Sequence, residues 1–478
     1  MTATPSPFRP LPAGWARTTL GEMVEFSYGK GLREDRRDAS GSVPVYGSNG
    51  MVGMHSVALV DRPCIVVGRK GSAGEVHVAR VPSWPIDTTY YILPPHGLHL
   101  EFLNYLLKTL SLGSLDRSSA IPGLNRDDAY AAAVSLPPFP EQRRIVAKIE
   151  ELFSQLDAGV EELKKAKAQL KRYGQSVLKA AFEGKLTEEW RKAHKGKVEP
   201  APALLERIKT ERKKVLGTKY KEPAPLNTSD LHGLPEGWAW ARLDAIAAIK
   251  GGITKDVKRQ VPGGHMVPYL RVANVQRGYL DLAEVTEILA SKEDIADLRL
   301  RRGDVLFTEG GDRDKLGRGW VWQEELPLCI HQNHVFRARL YMADMQPKFV
   351  SRYSNIMGRG YFMGEGKQTT NLASINMTKL SGLPVAVPPA AEQAEIVDEI
   401  EEWLSVIDAE ENTIEAALKQ AARLRQSILK RAFEGRLVPQ DPSDPPASEL
   451  LVRIRAEREE SRLGRVHPTR REMGARRE

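Results

Sequence analysis

The chain is written twice, and that repetition constrains its fold more than any single motif does. Residues 136–186 recur at 387–437, an offset of 251, with 24 identities in 51 positions and no gap. The shared residues include Pro137-Pro138 with Pro388-Pro389, Glu141-Gln142 with Glu392-Gln393, and Ala-Phe-Glu-Gly at 181–184 and 432–435. Upstream, Leu11-Pro-Ala-Gly-Trp15 returns as Leu234-Pro-Glu-Gly-Trp238. Between these landmarks, residues 21–120 and 244–370 align only in scraps, such as Ile86-Asp-Thr-Thr-Tyr-Tyr beside Ile330-His-Gln-Asn-His-Val. Two similar frames hold two dissimilar inserts. A duplicated enzyme is expected to keep its catalytic residues in at least one insert, whereas a duplicated reader lets each insert recognise something different.

The frames predict long helices. Ile145, Ile149, Leu152, Leu156, Val160, Leu163, Leu170, Val177 and Ala181 recur in steps of three, four and seven, the seam of a coiled coil. Ile396, Ile400, Trp403, Ile407, Ile414, Leu418, Ala421 and Ile428 repeat it in the second copy. A Pro-Pro pair precedes each helix, an acid opens its first turn, and Gly184 or Gly435 is placed to end it. Such a rod, roughly 60 Å long at about 1.5 Å per residue, cannot bury its seam alone, and the other copy is the obvious partner. Trp15 and Trp238 are expected to be core anchors behind Pro-x-Gly turns.

The inserts carry short β-rich runs ending in glycine turns, such as Cys64-Ile-Val-Val-Gly and Asp304-Val-Leu-Phe-Thr-Glu-Gly-Gly, interrupted by helical runs such as Leu100 to Leu112. Composition is that of a globular protein, 41% hydrophobic and 28% charged. The 70 Lys and Arg exceed 62 acids, a net +8 that permits a polyanionic partner without requiring one. No run of 18 apolar residues predicts a membrane span, and Met1 to Pro5 lack the pattern of a secretory signal. Cys64 and Cys329 sit in apolar contexts, which predicts buried thiols in a reducing cytoplasm rather than a disulfide or zinc scaffold.

Motifs for chemistry are scarce. No Gly-x4-Gly-Lys-Ser/Thr run is present. Leu136-Pro-Pro-Phe139 lacks the leading amide or acid of an amino-methyltransferase motif and reads as a helix entry. His331 and His334 lie three apart on an extended run and point oppositely, which makes a poor metal pair. Polar glycine-rich tips are better candidates, as readers of bases. In the first insert Arg69, Lys70 and Ser72 lie on one such tip, with Arg suited to guanine and Lys to phosphate. Lys30, Arg33, Arg36 and Arg37 form a second basic cluster, suited to phosphate or plain surface. In the second insert Thr308, Glu309, Arg313 and Lys315, with Gln332, Asn333 and His334, offer donors and acceptors together. Arg271, Asn274, Gln276 and Arg277 add a third polar cluster. For the Arg69 tip the alternative is a solvated hairpin turn, since Gly and Lys are common there.

The ordered set Leu-Pro-x-Gly-Trp, variable insert, Pro-Pro-x-x-Glu-Gln, heptad helix and Ala-Phe-Glu-Gly, all of it twice, resembles the specificity subunit of type I restriction–modification systems. The resemblance spans about residues 11 to 440. It implies an α+β chain: two mixed α/β target-recognition domains in a pseudo-twofold arrangement, joined by two long antiparallel coiled-coil helices. The expected division is a first recognition domain at 11–138, a long helix at 139–190, a charged linker with a short helix at 191–233, a second recognition domain at 234–389, a second long helix at 390–440, and a helix with a basic tail at 441–478. The resemblance implies that each domain reads one half of a split, asymmetric sequence in double-stranded DNA. The helices would set the gap and dock two methyltransferase subunits, with restriction subunits joining them. S-adenosylmethionine, ATP and Mg would serve those partners, with no catalytic residue, metal or cofactor in this chain and no membrane. A self-contained DNA methyltransferase or nuclease and a coiled-coil scaffold that binds no DNA are the alternatives.

The C-terminus repeats as well. Leu450, Leu451, Arg453, Ile454, Glu457 and Arg458 match Leu204, Leu205, Arg207, Ile208, Glu211 and Arg212 of the linker at an offset of 246. The tail helix is therefore expected to sit against the first insert as the linker helix sits against the second, with order to about Glu460 and the two termini close in space.

Overall fold

The protein, seen in a computed structural model, is described for residues 10–115, 123–254, 261–311, 315–365, 367–368 and 373–466. It divides into two compact units that are not contiguous in sequence. One comprises residues 1–164 and 415–478, the other residues 165–414.

In the first unit β1 (Ala16–Thr19) pairs antiparallel with β9 (Ala133–Leu136), closing the frame around the insert. Inside it lies a sheet ordered β2-β8-β5-β6, formed by Ser27–Tyr28, Thr89–Ile92, Cys64–Gly68 and Val76–Ala79. A second sheet, β4-β3-β7, joins Gly50–His55, Val43–Gly47 and Trp84–Pro85. Val43–Gly47 pairs antiparallel with the first of these and parallel with the last.

The second unit repeats the plan. β10 (Ala239–Arg242) pairs antiparallel with β21 (Pro384–Val387). The main sheet runs β11-β18-β14-β16, formed by Ala247–Lys250, Val335–Leu340, Val305–Thr308 and Gly319–Val321. The side sheet β13-β12-β17 (Thr286–Ala290, His265–Leu270, Ile330–His331) again holds one antiparallel and one parallel pairing. A small sheet of β15 (Gly310–Gly311), β20 (Ala373–Ser374) and β19 (Lys367–Gln368) lies at the tip. Inserts without sequence likeness thus share one topology. That is possible because central strands such as Cys64–Gly68 and Val305–Thr308, buried on both faces, need mostly apolar residues but no particular ones, which many sequences supply.

The long helices span Phe139–Phe182 and Ala390–Phe433. In the first unit the start of the first helix packs on the end of the second: Phe153 and Leu429 share the core, and the Arg425 guanidinium lies 4.2 Å from the Phe153 ring centroid. In the second unit the end of the first helix meets the start of the second, with Tyr173 and Trp403 edge to face at 5.8 Å. Each pair therefore runs antiparallel. Charge favours that direction. Residues 390–414 carry nine acids and no Lys or Arg, and face 165–182, which carry five cations and no acid. Residues 415–433 carry five cations and one acid, and face 139–164, with six acids and four cations. A parallel pair would set the basic stretches together.

Gly184 and Gly435 end the helices with φ of 70° and 66°. Space fixes them as firmly as conformation does. A Cβ on Gly435 would stand 2.3 Å from Pro12, and one on Gly184 would stand 2.6 Å from Pro235. Each Ala-Phe-Glu-Gly thus abuts a Leu-Pro-x-Gly-Trp: copy two's on copy one's in the first unit, and copy one's on copy two's in the second.

The short helices complete this exchange. In the second unit the linker helix (Ala201–Leu216) buries Ala201, Leu204 and Ile208, and Ala201 N–H donates to the Gly237 carbonyl at 2.8 Å. In the first unit the tail helix (Ala447–Val466) buries Ala447, Leu450 at 2% exposure and Ile454 at 0%, and Ala447 N–H donates to the Gly14 carbonyl, also at 2.8 Å. Burying a Leu or Ile side chain contributes about 1.5–3 kcal/mol. The tail helix is therefore part of the first unit's core, and it brings the C-terminal segment beside the N-terminal one, as the sequence repeat predicts.

Candidate nucleic-acid interface

In the first insert the tip after Cys64–Gly68 is tied to the segment Pro85–Thr88. Arg69 N–H donates to the Thr88 carbonyl, and Lys30 N–H to that of Pro85. Lys30, Arg69 and Lys70, which the sequence assigns to two clusters, thus flank one segment. Arg69 Nε and Nη2 both donate to the Asp87 carbonyl, at 3.1 and 2.6 Å, so one edge of the guanidinium is engaged. The two-nitrogen edge that a bidentate guanine contact would use is in part occupied.

Sequence reasoning missed two residues here. The Tyr28 ring is 56% exposed, and the guanidinium groups of Arg69 and Arg126 lie 5.5 and 5.6 Å from its centroid. Arg126 also lies 5.8 Å from the Tyr130 ring. Cation–π contact holds two long side chains at one surface. No local pattern could have signalled this, because the residues stand 41 and 98 positions from Tyr28 and meet only through strand pairing. Lys70 is exposed, its backbone bridged to Gly123, and Ser72 is half-buried.

The other basic cluster disperses. Arg33 is exposed and paired with Asp35 at 3.3 Å, and Arg36 is exposed. Arg37 turns inward, its Nη1 donating to the Val52 carbonyl at 2.8 Å, and braces the strand pair.

In the second insert Glu309 N–H donates to the His334 carbonyl at 2.9 Å, and the Glu309 carboxylate accepts from His334 Nδ1. Gln332 and Asn333 are half-buried beside them, their N–H groups donating to Leu270 and Ile253. Lys315 is exposed at the same tip, and Arg313 lies outside the described residues. Thr308 is 0% exposed, its hydroxyl 3.4 Å from the carbonyls of Lys315 and Arg318, so it shapes the tip from within. His331 is buried, its Nδ1 2.7 Å from the Val335 carbonyl, and burial pushes its pKa down to about 4.

The third polar cluster is mainly internal bracing. Asn274 is 3% exposed; its amide donates to the Asp281 and Glu284 carbonyls while its oxygen accepts from Arg271 N–H. Arg277 Nη1 donates to the Asn355 carbonyl at 2.6 Å, and Gln276 Nε2 to that of Ala273 at 2.7 Å. Asx and Arg side chains that satisfy loop carbonyls read, in sequence, just like ones that face a ligand.

The scrap pairing Ile86 with Ile330 is corrected by two residues. Gly68 pairs with Thr89 as Thr308 pairs with Val335, so Ile86 corresponds to Gln332 and Trp84 to Ile330. Ile86 lies past strand β7, whereas Ile330 opens β17 and fills the core. The two isoleucines do different work.

Residues 12–172 match the model of the type I restriction modification DNA specificity domain. The chain is 25% identical over 463 residues to the EcoDI specificity subunit of Escherichia coli, covering 94% of this chain and 96% of that one. It is 28% identical over 374 residues to the EcoKI specificity subunit of Escherichia coli K12, covering 76% and 72%. Its fold is similar to that of the HsdS subunit from Thermoanaerobacter tengcongensis, with a TM-score of 0.54 at 18% identity over 90% of this chain and 99% of that one. A chain solved in work on assembly and conformational transition of the type I restriction–modification system gives 0.59 at 17% identity, over 90% and 100%. Doubled motifs, doubled topology and relatives along nearly the whole length converge on one likeness: the chain is similar to the specificity subunits of type I restriction–modification systems.

Proposed function

We propose that this chain selects the DNA sequence on which a type I restriction–modification complex acts, each insert reading one half of a split, asymmetric target. The observation that carries the reading is the first insert's tip. There exposed Tyr28 and Lys70 and half-buried Arg69 and Arg126 gather three cations and an aromatic ring at one edge of the sheet. Cations hold phosphates, and donors and acceptors on a fixed platform choose among bases.

The long helices set the spacing and dock two methyltransferase subunits, which restriction subunits join. The seam supports this, because Leu152, Leu156, Val160, Leu163 and Leu170 are only half-buried by the antiparallel pair. Helices of a partner would complete their burial. S-adenosylmethionine, ATP and Mg belong to those partners in the cytoplasm, and the reaction is theirs.

Methylome sequencing of a host with and without the gene tests the reading. Methylation at one split motif, lost on deletion, is expected. Methyl transfer by the isolated chain, or an unchanged methylome, would overturn it.

A further inference from the structure

The two tips correspond residue by residue. Arg69 N–H to the Thr88 carbonyl repeats as Glu309 N–H to the His334 carbonyl, both 2.9 Å. Leu124 N–H to the Arg69 carbonyl, at 2.9 Å, repeats as Ile375 N–H to the Glu309 carbonyl, at 2.8 Å. Lys30 N–H to Pro85 repeats as Ile253 N–H to His331, at 3.0 and 2.8 Å. The residues just before, Gly29 and Gly252, are glycine for one reason: a Cβ would stand 2.1 Å from the Ile86 carbonyl oxygen in one and 1.9 Å from the His331 carbonyl oxygen in the other. Asn125 and Asn376 cap the short helices that follow. The backbone platform is the same, and the side chains on it are exchanged. Arg69 corresponds to Glu309, Thr88 to His334, and Arg126 to Met377.

We infer that each insert makes its base choice at this one set of equivalent positions, the first presenting donors at Arg69 and the second presenting an acceptor at Glu309, held in place by His334. The assignment rests on the DNA-reading function proposed above. On the first platform Arg69 is steadied over Tyr28, and its Nη1, which makes no hydrogen bond among the described residues, is left as a donor that suits guanine O6 or N7. On the second, His334 Nδ1 donates a hydrogen bond to Glu309 Oε2. Among the described residues Glu309 Oε1 is then left as an acceptor. That acceptor suits an exocyclic amine, adenine N6 or cytosine N4, and repels guanine O6.

Selection from randomised duplexes by the full chain, followed by sequencing, tests this. The wild-type chain should return a split motif with a guanine in one half and an adenine or cytosine at the position read by Glu309. Glu309→Gln and His334→Ala should each relax that one position by about tenfold or more and leave the other half intact. Arg69→Gln should relax the guanine in the opposite half alone. If the wild type returns a split motif and all three variants return it unchanged, base choice lies elsewhere and the assignment is overturned. If the wild type returns no motif, the DNA-reading function itself falls.

Discussion

Trp15 Nε1 donates a 3.0 Å hydrogen bond to the Glu141 carboxylate across 126 residues of sequence. Trp238 makes the same bond to Glu392 at 2.9 Å. Next to each acid a glutamine bridges inward: Gln142 accepts from His99 N–H and donates to the Pro137 carbonyl, and Gln393 accepts from Gln346 N–H and donates to that of Pro388. The repeated Trp and Glu-Gln are thus one device, a buried clamp that fixes the start of each long helix to the frame of its insert.

The two clamps differ in charge. Glu392 also accepts from Arg191 Nε and Nη2, at 3.0 and 2.8 Å, and from Thr187. Among the described residues Glu141 has the neutral Gln440 amide and Trp15 in direct contact, and burial pushes its carboxyl above the usual range. Glu392→Gln should therefore cost roughly 3–5 kcal/mol, because Arg191 loses its buried partner. Glu141→Gln should cost about 1 kcal/mol or less, since it removes no ion pair. Denaturant titration of the two variants checks this; equal losses would show that Arg191 contributes nothing.

Glu141 also predicts a pH dependence. A carboxyl whose folded pKa is raised holds its proton better folded than unfolded, so its contribution is present below the ordinary value near 4.5 and is lost as pH rises through the folded pKa. Glu141→Gln should flatten that decline in a stability–pH profile above 4.5.

His331 works in the opposite direction. Its pKa, held down to about 4 by burial, means that the neutral ring belongs to the folded state. The unfolded chain binds the proton first, so stability should fall by roughly 3 kcal/mol as pH drops from 6.5 to 4. A His331→Gln variant should lose that slope in acid unfolding followed by near-ultraviolet dichroism.

Much of the frame was legible from sequence, because heptad spacing, Pro-Pro entries and terminal glycines are local signals. The inserts were legible only as β-rich. Their shared sheet left no trace in identities, since topology constrains apolarity and not residue type. The site was half legible. Arg69, Lys70 and Glu309 sit beside glycine turns that announce themselves, and His334 ends a short polar run. Tyr28 and Arg126 join them through pairing across the sheet, while Arg37, Asn274 and Thr308 look like ligand-facing polar residues and in fact satisfy backbone groups inside.

Lys70 and Arg69 should separate affinity from choice. Lys70 is exposed at the tip and free to follow a phosphate, so Lys70→Ala should weaken all duplexes alike and reduce the salt slope by roughly one. Arg69→Ala should cost about 1–3 kcal/mol on the cognate site and much less on random DNA. Equal effects of both variants on cognate and random duplexes would reduce the tip to a phosphate clamp.

The circular packing of frames yields the last prediction. In the first unit Ala447 N–H meets the Gly14 carbonyl and Gly435 abuts Pro12, just as Ala201 meets Gly237 and Gly184 abuts Pro235 in the second. The covalent link through 217–232 therefore joins in one unit what non-covalent contact alone joins in the other. Opening the chain within 217–232 and joining the old termini by a linker of similar length should yield a permutant that folds, melts near the parent and keeps its DNA preference. Removing residues 438–478 should instead uncover the pocket that Leu450 and Ile454 fill. Ile454→Ala alone should cost about 2–5 kcal/mol in the first unit. A permutant that fails to fold while the truncated chain stays fully stable would show that the tail helix is not the counterpart of the linker helix.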